Sequence, residues 1–312
     1  MNDAPFPFTL RQLQYVVAVA EDLSFRRAAE RCRVSQPALS AQIAQMEALL
    51  GVKVFERNRR RVMVTPVGQA FVEQARRVLL AARDLAAFAR ESADPHAGVF
   101  RIGVIPTVAR YLLPAVTPAL RRTFPKLRLQ WVEEKTGELL ARMQAGELDG
   151  ALVALEAGLG EVERFLIARD PFVLVVPAGH ELADPSVRVT PQDLDGRDVL
   201  ILQDEHCLAR QTATLCAGSG AQVDAFRATS LTTIVQMVAS GAGVTLLPAL
   251  AVPAEVTDAA LTVRRFAGAA PGRDLGLVWR KTHPLGETLR SIGMVLREAY
   301  PSEGDASPRH GS

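Results

Sequence analysis

Two helix-patterned segments joined by only three residues, Arg33-Val34-Ser35, place the tightest limit on how this chain can fold. Before the junction, Ser24 is a capping residue for a helix from Phe25 to Cys32 that turns Ala28 and Ala29 inward. After it, Ser35 caps a further helix with Pro37 in its first turn, and Gly51 stops that helix. Ala38, Leu39, Ile43, Met46 and Leu50 form its expected buried stripe. A first helix, from about Thr9 to Glu21, is marked by Leu10, Leu13, Val16, Val17 and Ala20. Helices joined by so tight a turn predict a helix-turn-helix.

The third helix leaves Gln36, Ser40, Gln42 and Gln45 exposed, and such amide and hydroxyl groups read base edges in a major groove. Ser35, Gln36, Pro37, Ser40 and Gln42 are the expected DNA-facing residues of this module. Val52 to Val64 then alternates in two short runs around a basic tip, which predicts a winged hairpin. Arg57, Arg59, Arg60 and Arg61 fall within five positions and suit phosphates or a minor groove. The plainer alternative is a solvated hairpin with a charged turn. Charge favours a polyanion: residues 1–92 carry 14 Lys and Arg against 9 Asp and Glu, and the remainder 22 against 25.

Thr65-Pro66 opens a long helix reaching about Ser92, with Val67, Phe71, Ala75, Val78, Ala82, Leu85 and Ala89 at steps of three and four. At 1.5 Å per residue it spans roughly 40 Å. A seam of that length predicts pairing with a second copy, which places two recognition helices on a two-fold DNA site. Packing on the chain's own C-terminal region is the alternative.

Asp94 to Gly98 reads as a turn-rich linker, after which short apolar runs alternate with helical patterns. Strands are expected at Phe100–Ile105, Leu127–Val132, Gly150–Leu155, Phe172–Val176, Val199–Leu202, Val244–Leu247, Leu261–Phe266 and Leu275–Trp279. Helices are expected between them, at Gly137–Ala145 and Leu231–Ala239 among others. The alternation argues for an α/β region with parallel sheets, and its length argues for two lobes with a ligand cleft at the strand ends. The expected organisation is a DNA-binding domain over 1–66, a linker helix over 67–93 and a regulatory domain over 98–301. Within the last, lobe I takes about 98–170 and 274–301, lobe II about 171–273, and 302–312 is a disordered tail. No apolar run reaches membrane length, the stretch Gly243 to Val252 being broken by Pro248. Met1 to Thr9 lacks the basic flank of a signal peptide, and three cysteines make no secreted disulfide framework. The expected location is cytoplasmic.

Cys207 and Cys216 stand out. Cys207 follows a strand where a helix begins, with His206 beside it and Arg210 three on, a setting that favours thiolate. Thiolate attacks peroxide and becomes sulfenic acid, which a second thiol condenses into a disulfide. On one helix, the nine-residue separation puts the two Cα atoms roughly 13 Å apart. A disulfide needs less than about 7 Å, so oxidation must unwind or refold the segment. Two small buried hydrophobes are the ordinary alternative, a metal site lacks a fourth ligand, and no cofactor motif is present.

Resemblance now adds to this reading. Phe25-Arg26-Arg27-Ala28-Ala29, Val34 to Ile43, Glu47, Leu50-Gly51, Phe55-Glu56-Arg57 and Thr65-Pro66-Val67-Gly68 together resemble the LysR-type transcriptional regulators. Ile105-Pro106-Thr107-Val108, Tyr111 to Pro114, His206-Cys207-Leu208, Phe226 to Leu231 and Met237 to Pro253 resemble the OxyR branch, the hydrogen-peroxide sensors. The likeness implies a winged helix-turn-helix, a linker helix and a two-lobed regulatory domain like periplasmic binding proteins. It implies that Cys207 is peroxidatic and Cys216 resolving, with Thr107, Thr136, His206 and Arg280 at the peroxide pocket. It further implies a non-enzymatic activator of antioxidant genes, a dimer of dimers on promoter DNA. Its implied partners are RNA polymerase, hydrogen peroxide and a thiol reductant such as glutaredoxin or thioredoxin. One departure concerns the thiol: Arg210 stands one place on from the family's basic residue, and Glu205 adds negative charge. Two other readings compete. One is a LysR-type regulator that binds a small metabolite with silent cysteines; the other is a DNA-anchored thiol peroxidase.

Overall fold

The computed structural model describes residues 6–57, 61–91, 97–155, 158–203, 207–223 and 226–301. The expected disordered tail lies outside them. The chain divides into two compact units, 1–92 and 93–312.

In the first unit, each of three helices starts on a hydroxyl that accepts a backbone N–H three residues on. Thr9 caps α1 (Leu10–Asp22), Ser24 caps α2 (Phe25–Cys32), and Ser35 caps α3 (Gln36–Leu50), which Gly51 ends with φ +69°. Strands β1 (Phe55–Arg57) and β2 (Val62–Val64) form the antiparallel wing, and α4 (Pro66–Glu91) follows. Leu13, Val16, Val19, Leu39, Ile43 and Met46 pack with Val72, Ala75 and Leu79 of α4 in one core.

Two expected core residues are corrected. Leu10, in the first turn of α1, is exposed. Ala38 is exposed as well, because one helical step before Leu39 it joins the outward face with Gln42 and Gln45. Glu47 is buried instead, and its carboxylate accepts from Val54 N at 2.8 Å, Phe55 N at 3.1 Å and Lys53 Nζ at 3.1 Å. That carboxylate fastens the recognition helix to the wing. The α4 seam divides: Ala75 joins the core, Phe71 and Ala82 are half-buried, and Val67, Val78, Leu85 and Ala89 are exposed.

The second unit runs β3 (Gly98–Val104), α5 (Pro106–Tyr111), α6 (Leu113–Thr123), β4 (Leu127–Glu133), α7 (Thr136–Gln144) and β5 (Gly150–Ala154). It continues with β6 (Val162–Pro177), β7 (Val199–Leu202), α8 (Cys207–Ser219), β8 (Arg227–Ala228), α9 (Leu231–Ala239) and β9 (Val244–Pro248). Then come α10 (Val252–Glu255), β10 (Leu261–Arg265), β11 (Gly272–Arg280) and α11 (Gly286–Glu298). The sheet order is β4-β3-β5-β11-β6-β9-β7-β8, with β10 also on β6. The fold is the α/β region expected, but its sheet is mixed rather than parallel. Strand β3 is parallel to β4 and β5, and β7 to β8 and β9, whereas β6 and β11 run antiparallel to their neighbours.

Strand β6 is 16 residues long, where only Phe172–Val176 was expected. It joins two halves of the sheet: as far as Pro171 it pairs with β11, and from Phe172 it pairs with β9. A Cβ on Gly272, opposite Pro171, would lie 2.7 Å from the Asp170 carbonyl, so glycine permits this close crossing. In the second half, Val173, Val175, Leu200 and Leu202 face one core, and Leu174, Val176, Val199 and Ile201 face another. Alternation along the strands puts these cores on opposite faces of the sheet.

Candidate peroxide pocket and DNA interface

Three strand-to-helix junctions converge at the carboxyl ends of their strands. Thr107 lies in α5 after β3, Thr136 starts α7 after β4, and Cys207 starts α8 beyond β7. Ile105, Pro106, Thr107, Lys135, Thr136, Cys207 and Leu208 line one pocket with about 260 Å3 of space including its mouth. Crevices outside strand carboxyl ends are where open α/β sheets take ligands.

The two threonines are prepared differently. Thr107 is buried, and its Oγ1 accepts from Arg273 Nη1 at 2.9 Å. With that lone pair occupied, its hydroxyl proton is left to point elsewhere. Thr136 Oγ1 is buried without any hydrogen-bond partner. An orphaned hydroxyl costs about 1–3 kcal/mol, a cost that a small polar ligand removes by bonding to it.

Cys207 is half-buried at the first position of α8, where the N–H groups of the opening turn favour an anion. Cys216, also on α8, is fully buried among Leu174, Val176, Val199 and Ile201, and that burial pushes its thiol up to about 11. Leu208 and Ala209, next to Cys207, belong to the core on the other sheet face. Cys207 thus adjoins residues of one core, and Cys216 belongs to another. With nine residues of helix between them, a bond between the two sulfurs requires the segment to be remodelled.

Arg280 is not brought to the pocket. It is buried at the far end of β11, paired with Val162, seven residues beyond Arg273. The basic residue that reaches Thr107 is Arg273: its Nε donates to Asp170 Oδ2 at 3.0 Å while Nη1 donates to Thr107. Burial raises the pKa of Asp170 and the Arg273 charge opposes that shift. Sequence reasoning missed Arg273 and Asp170, since their partners lie far along the chain. His206 lies outside the described residues. Among the described residues, no group of three or more His, Cys, Asp or Glu is placed to hold a metal ion.

On the first unit, Gln36, Pro37 and Gln42 are exposed along α3, Ser40 is half-buried, and Ser35 is spent as the cap. Gln42 Oε1 accepts from Gln12 Nε2 at 3.1 Å, which leaves the Gln42 amide hydrogens for an outside acceptor. Arg61 is exposed at the wing. Arg59, Arg60 and the Arg57 side chain lie outside the described residues. No described helix is long and apolar enough to cross a membrane.

Both units match known protein families. Residues 10–69 match the bacterial regulatory helix-turn-helix model of the lysR family, and residues 93–301 match the LysR substrate binding domain. A hydrogen peroxide-inducible genes activator of Pectobacterium carotovorum is 42% identical over 293 residues, covering 93% of this chain and 96% of that protein. A full-length OxyR variant from Pseudomonas aeruginosa has a TM-score of 0.73 at 32% identity, covering 93% of this chain and 95% of its own. A hydrogen-peroxide-bound OxyR mutant from Corynebacterium glutamicum has a TM-score of 0.64 at 32% identity, covering 95% and 93%. A capped helix-turn-helix and a pocket carrying a cysteine and two threonines thus occur in a chain that belongs to the LysR family of transcriptional regulators, among the OxyR-type hydrogen peroxide-inducible genes activators.

Proposed function

We propose that this protein is a transcriptional regulator that senses hydrogen peroxide through Cys207 and Cys216 and controls antioxidant genes. The observation that carries the reading is the convergence of Cys207, Thr107 and the unpartnered Thr136 hydroxyl on one pocket. The Cys207 thiolate attacks one peroxide oxygen; the O–O bond breaks, leaving Cys207 sulfenic acid and hydroxide, which takes up a proton. Thr107, whose proton is freed by Arg273, and Thr136 supply hydrogen bonds to the oxygens, with His206 completing the set. Cys216 then displaces water from the sulfenic acid to give the disulfide, and a thiol reductant such as glutaredoxin or thioredoxin reverses it. This is stoichiometric signalling rather than turnover.

The reading assigns lobe I to 98–170 and 274–301 and lobe II to 171–273, so the disulfide strains the half that holds α8. Output runs through the 1–66 domain, with Ser35, Gln36, Pro37, Ser40 and Gln42 at the groove and Arg57, Arg59, Arg60 and Arg61 on the flank. The exposed part of the α4 seam, Val67, Val78 and Leu85, pairs two copies, and two such dimers form the assembly that engages RNA polymerase in the cytoplasm. The test treats reduced full-length protein with a roughly equimolar amount of peroxide and maps cysteines by mass spectrometry. A Cys207–Cys216 disulfide reversed by thiol is expected, and unmodified thiols after large excess would overturn the reading.

A further inference from the structure

Thr107 is carried by α5, a helix of six residues whose N-cap, Ile105, makes no side-chain bond. A helix that short does not hold itself in water, so its position is set by what grips it from outside. Two buried carboxylates do this, one at each end. At the C-terminal end, Glu255 of α10 accepts from Tyr111 Oη at 2.7 Å and pairs with Arg110 at 2.9 Å, with 1% of its own side chain exposed. At the N-terminal end, Asp170 of β6 holds Arg273, which donates to Thr107, and the same carboxylate accepts from Leu250 N at 3.1 Å. Leu250 and Glu255 belong to one short stretch following β9, in the opposite half of the sheet from β3 and α5. Helix α5 is thus gripped at its C-terminal end directly by Glu255 and at its N-terminal end through Arg273 and Asp170, a carboxylate that the same 249–255 stretch also bonds.

We infer that Glu255 and Asp170 are positioning residues for the peroxide pocket: by clamping α5 between them they hold the Thr107 hydroxyl at Cys207. Neither touches the reacting atoms; both act through Thr107. Pocket competence and closure of the two halves are then one variable, since loosening the 249–255 stretch also moves Thr107. The inference rests on the peroxide-sensing reading.

The test uses the full chain with Cys216→Ser, so that oxidation stops at sulfenic acid, and measures two rates at Cys207. Reaction with peroxide needs the Thr107 hydroxyl; alkylation by iodoacetamide needs only an accessible thiolate. Glu255→Gln keeps an acceptor for Tyr111 and removes the charge. It is expected to slow the peroxide reaction about tenfold, with alkylation within about twofold of the parent. Thr107→Val gives a larger loss with the same selectivity, and adding Glu255→Gln to it changes little further, because both act on one hydroxyl. Asp170→Asn repeats the pattern and Asp170→Glu restores most of the rate. Should Glu255→Gln fail to fold, Tyr111→Phe puts the same question with a smaller change. Peroxide rates equal to the parent, equal slowing of both reactions, or additive effects with Thr107→Val would each overturn the clamp. A parent chain that forms no sulfenic acid at Cys207 refutes the sensing reading itself.

Discussion

Cys207 and Cys216 sit near opposite ends of α8, nine residues apart, and their surroundings share almost nothing. Cys207 borders a pocket with two threonine hydroxyls and the opening N–H groups of the helix. Cys216 is enclosed by the hydrocarbon of Leu174, Val176, Val199 and Ile201, which raises its pKa. The contrast divides the labour between two chemically identical groups. In the proposed function the first reacts with a small polar oxidant, and the second is withheld until the helix is remodelled. A dry thiol held as neutral S–H does not compete for oxidant, so under the proposed function the response waits on Cys207.

The largest effect comes from removing one thiol at a time. Cys207→Ser is expected to abolish sulfenic acid, disulfide and any peroxide response at a promoter. Cys216→Ser leaves the first reaction within about twofold of wild type and eliminates only the disulfide, because Cys216 takes no part in the attack on peroxide. Trapping of sulfenic acid with a nucleophilic probe and mass mapping separates the two. Equal loss in both variants would break the division of labour.

A smaller effect tests the polar side of the contrast alone. Thr107→Val removes the hydroxyl whose proton Arg273 frees for the pocket, and about a hundredfold slower sulfenic acid formation is expected. Thr136→Val removes a hydroxyl without a partner; about tenfold slowing is expected, with no loss of stability. Stopped-flow measurement of peroxide consumption by the reduced protein reads both. If Thr136→Val reacts as fast as wild type, that hydroxyl faces no reacting oxygen and the pocket rests on Thr107.

Why the helix-turn-helix could be read from sequence and the clamp behind the pocket could not is a matter of distance along the chain. Thr9, Ser24 and Ser35 cap their helices through bonds to residues three away, so a short window contains both partners. The same locality places Cys207 at a helix start. Strand β6 was read only from Phe172 because Glu163, Arg164, Arg169 and Asp170 interrupt its apolar pattern, and their pairing belongs to β11, about a hundred residues on. Arg273 and Arg280 look alike in sequence, both on β11. Which end of the strand meets Thr107 depends on its antiparallel run beside β6, a tertiary fact. On α4, seam spacing predicted apolar contact without saying which residues serve the chain's own core. Ala75 does, whereas Val67, Val78 and Leu85 do not.

The dry end of α8 also leaves a signature in stability. Burial raises the Cys216 thiol from 9.0 to about 11, so the folded chain keeps this proton at pH values where the unfolded chain has released it. The stabilisation of the neutral thiol is fully present below pH 9 and declines as pH rises towards 11, by at most about 2 kcal/mol. Burial raises the Cys32 thiol as well, which adds to the pH dependence of both proteins. The informative quantity is therefore the difference between wild type and Cys216→Ala. Urea melts of the reduced proteins at two pH values, one below 9 and one near 11, supply it. Wild type is expected to lose more stability than the variant between the two. Parallel losses would mean that water reaches Cys216 in the folded state. Its core would then already be open before oxidation, and any delay in its reaction with Cys207 would have to come from distance along α8 alone.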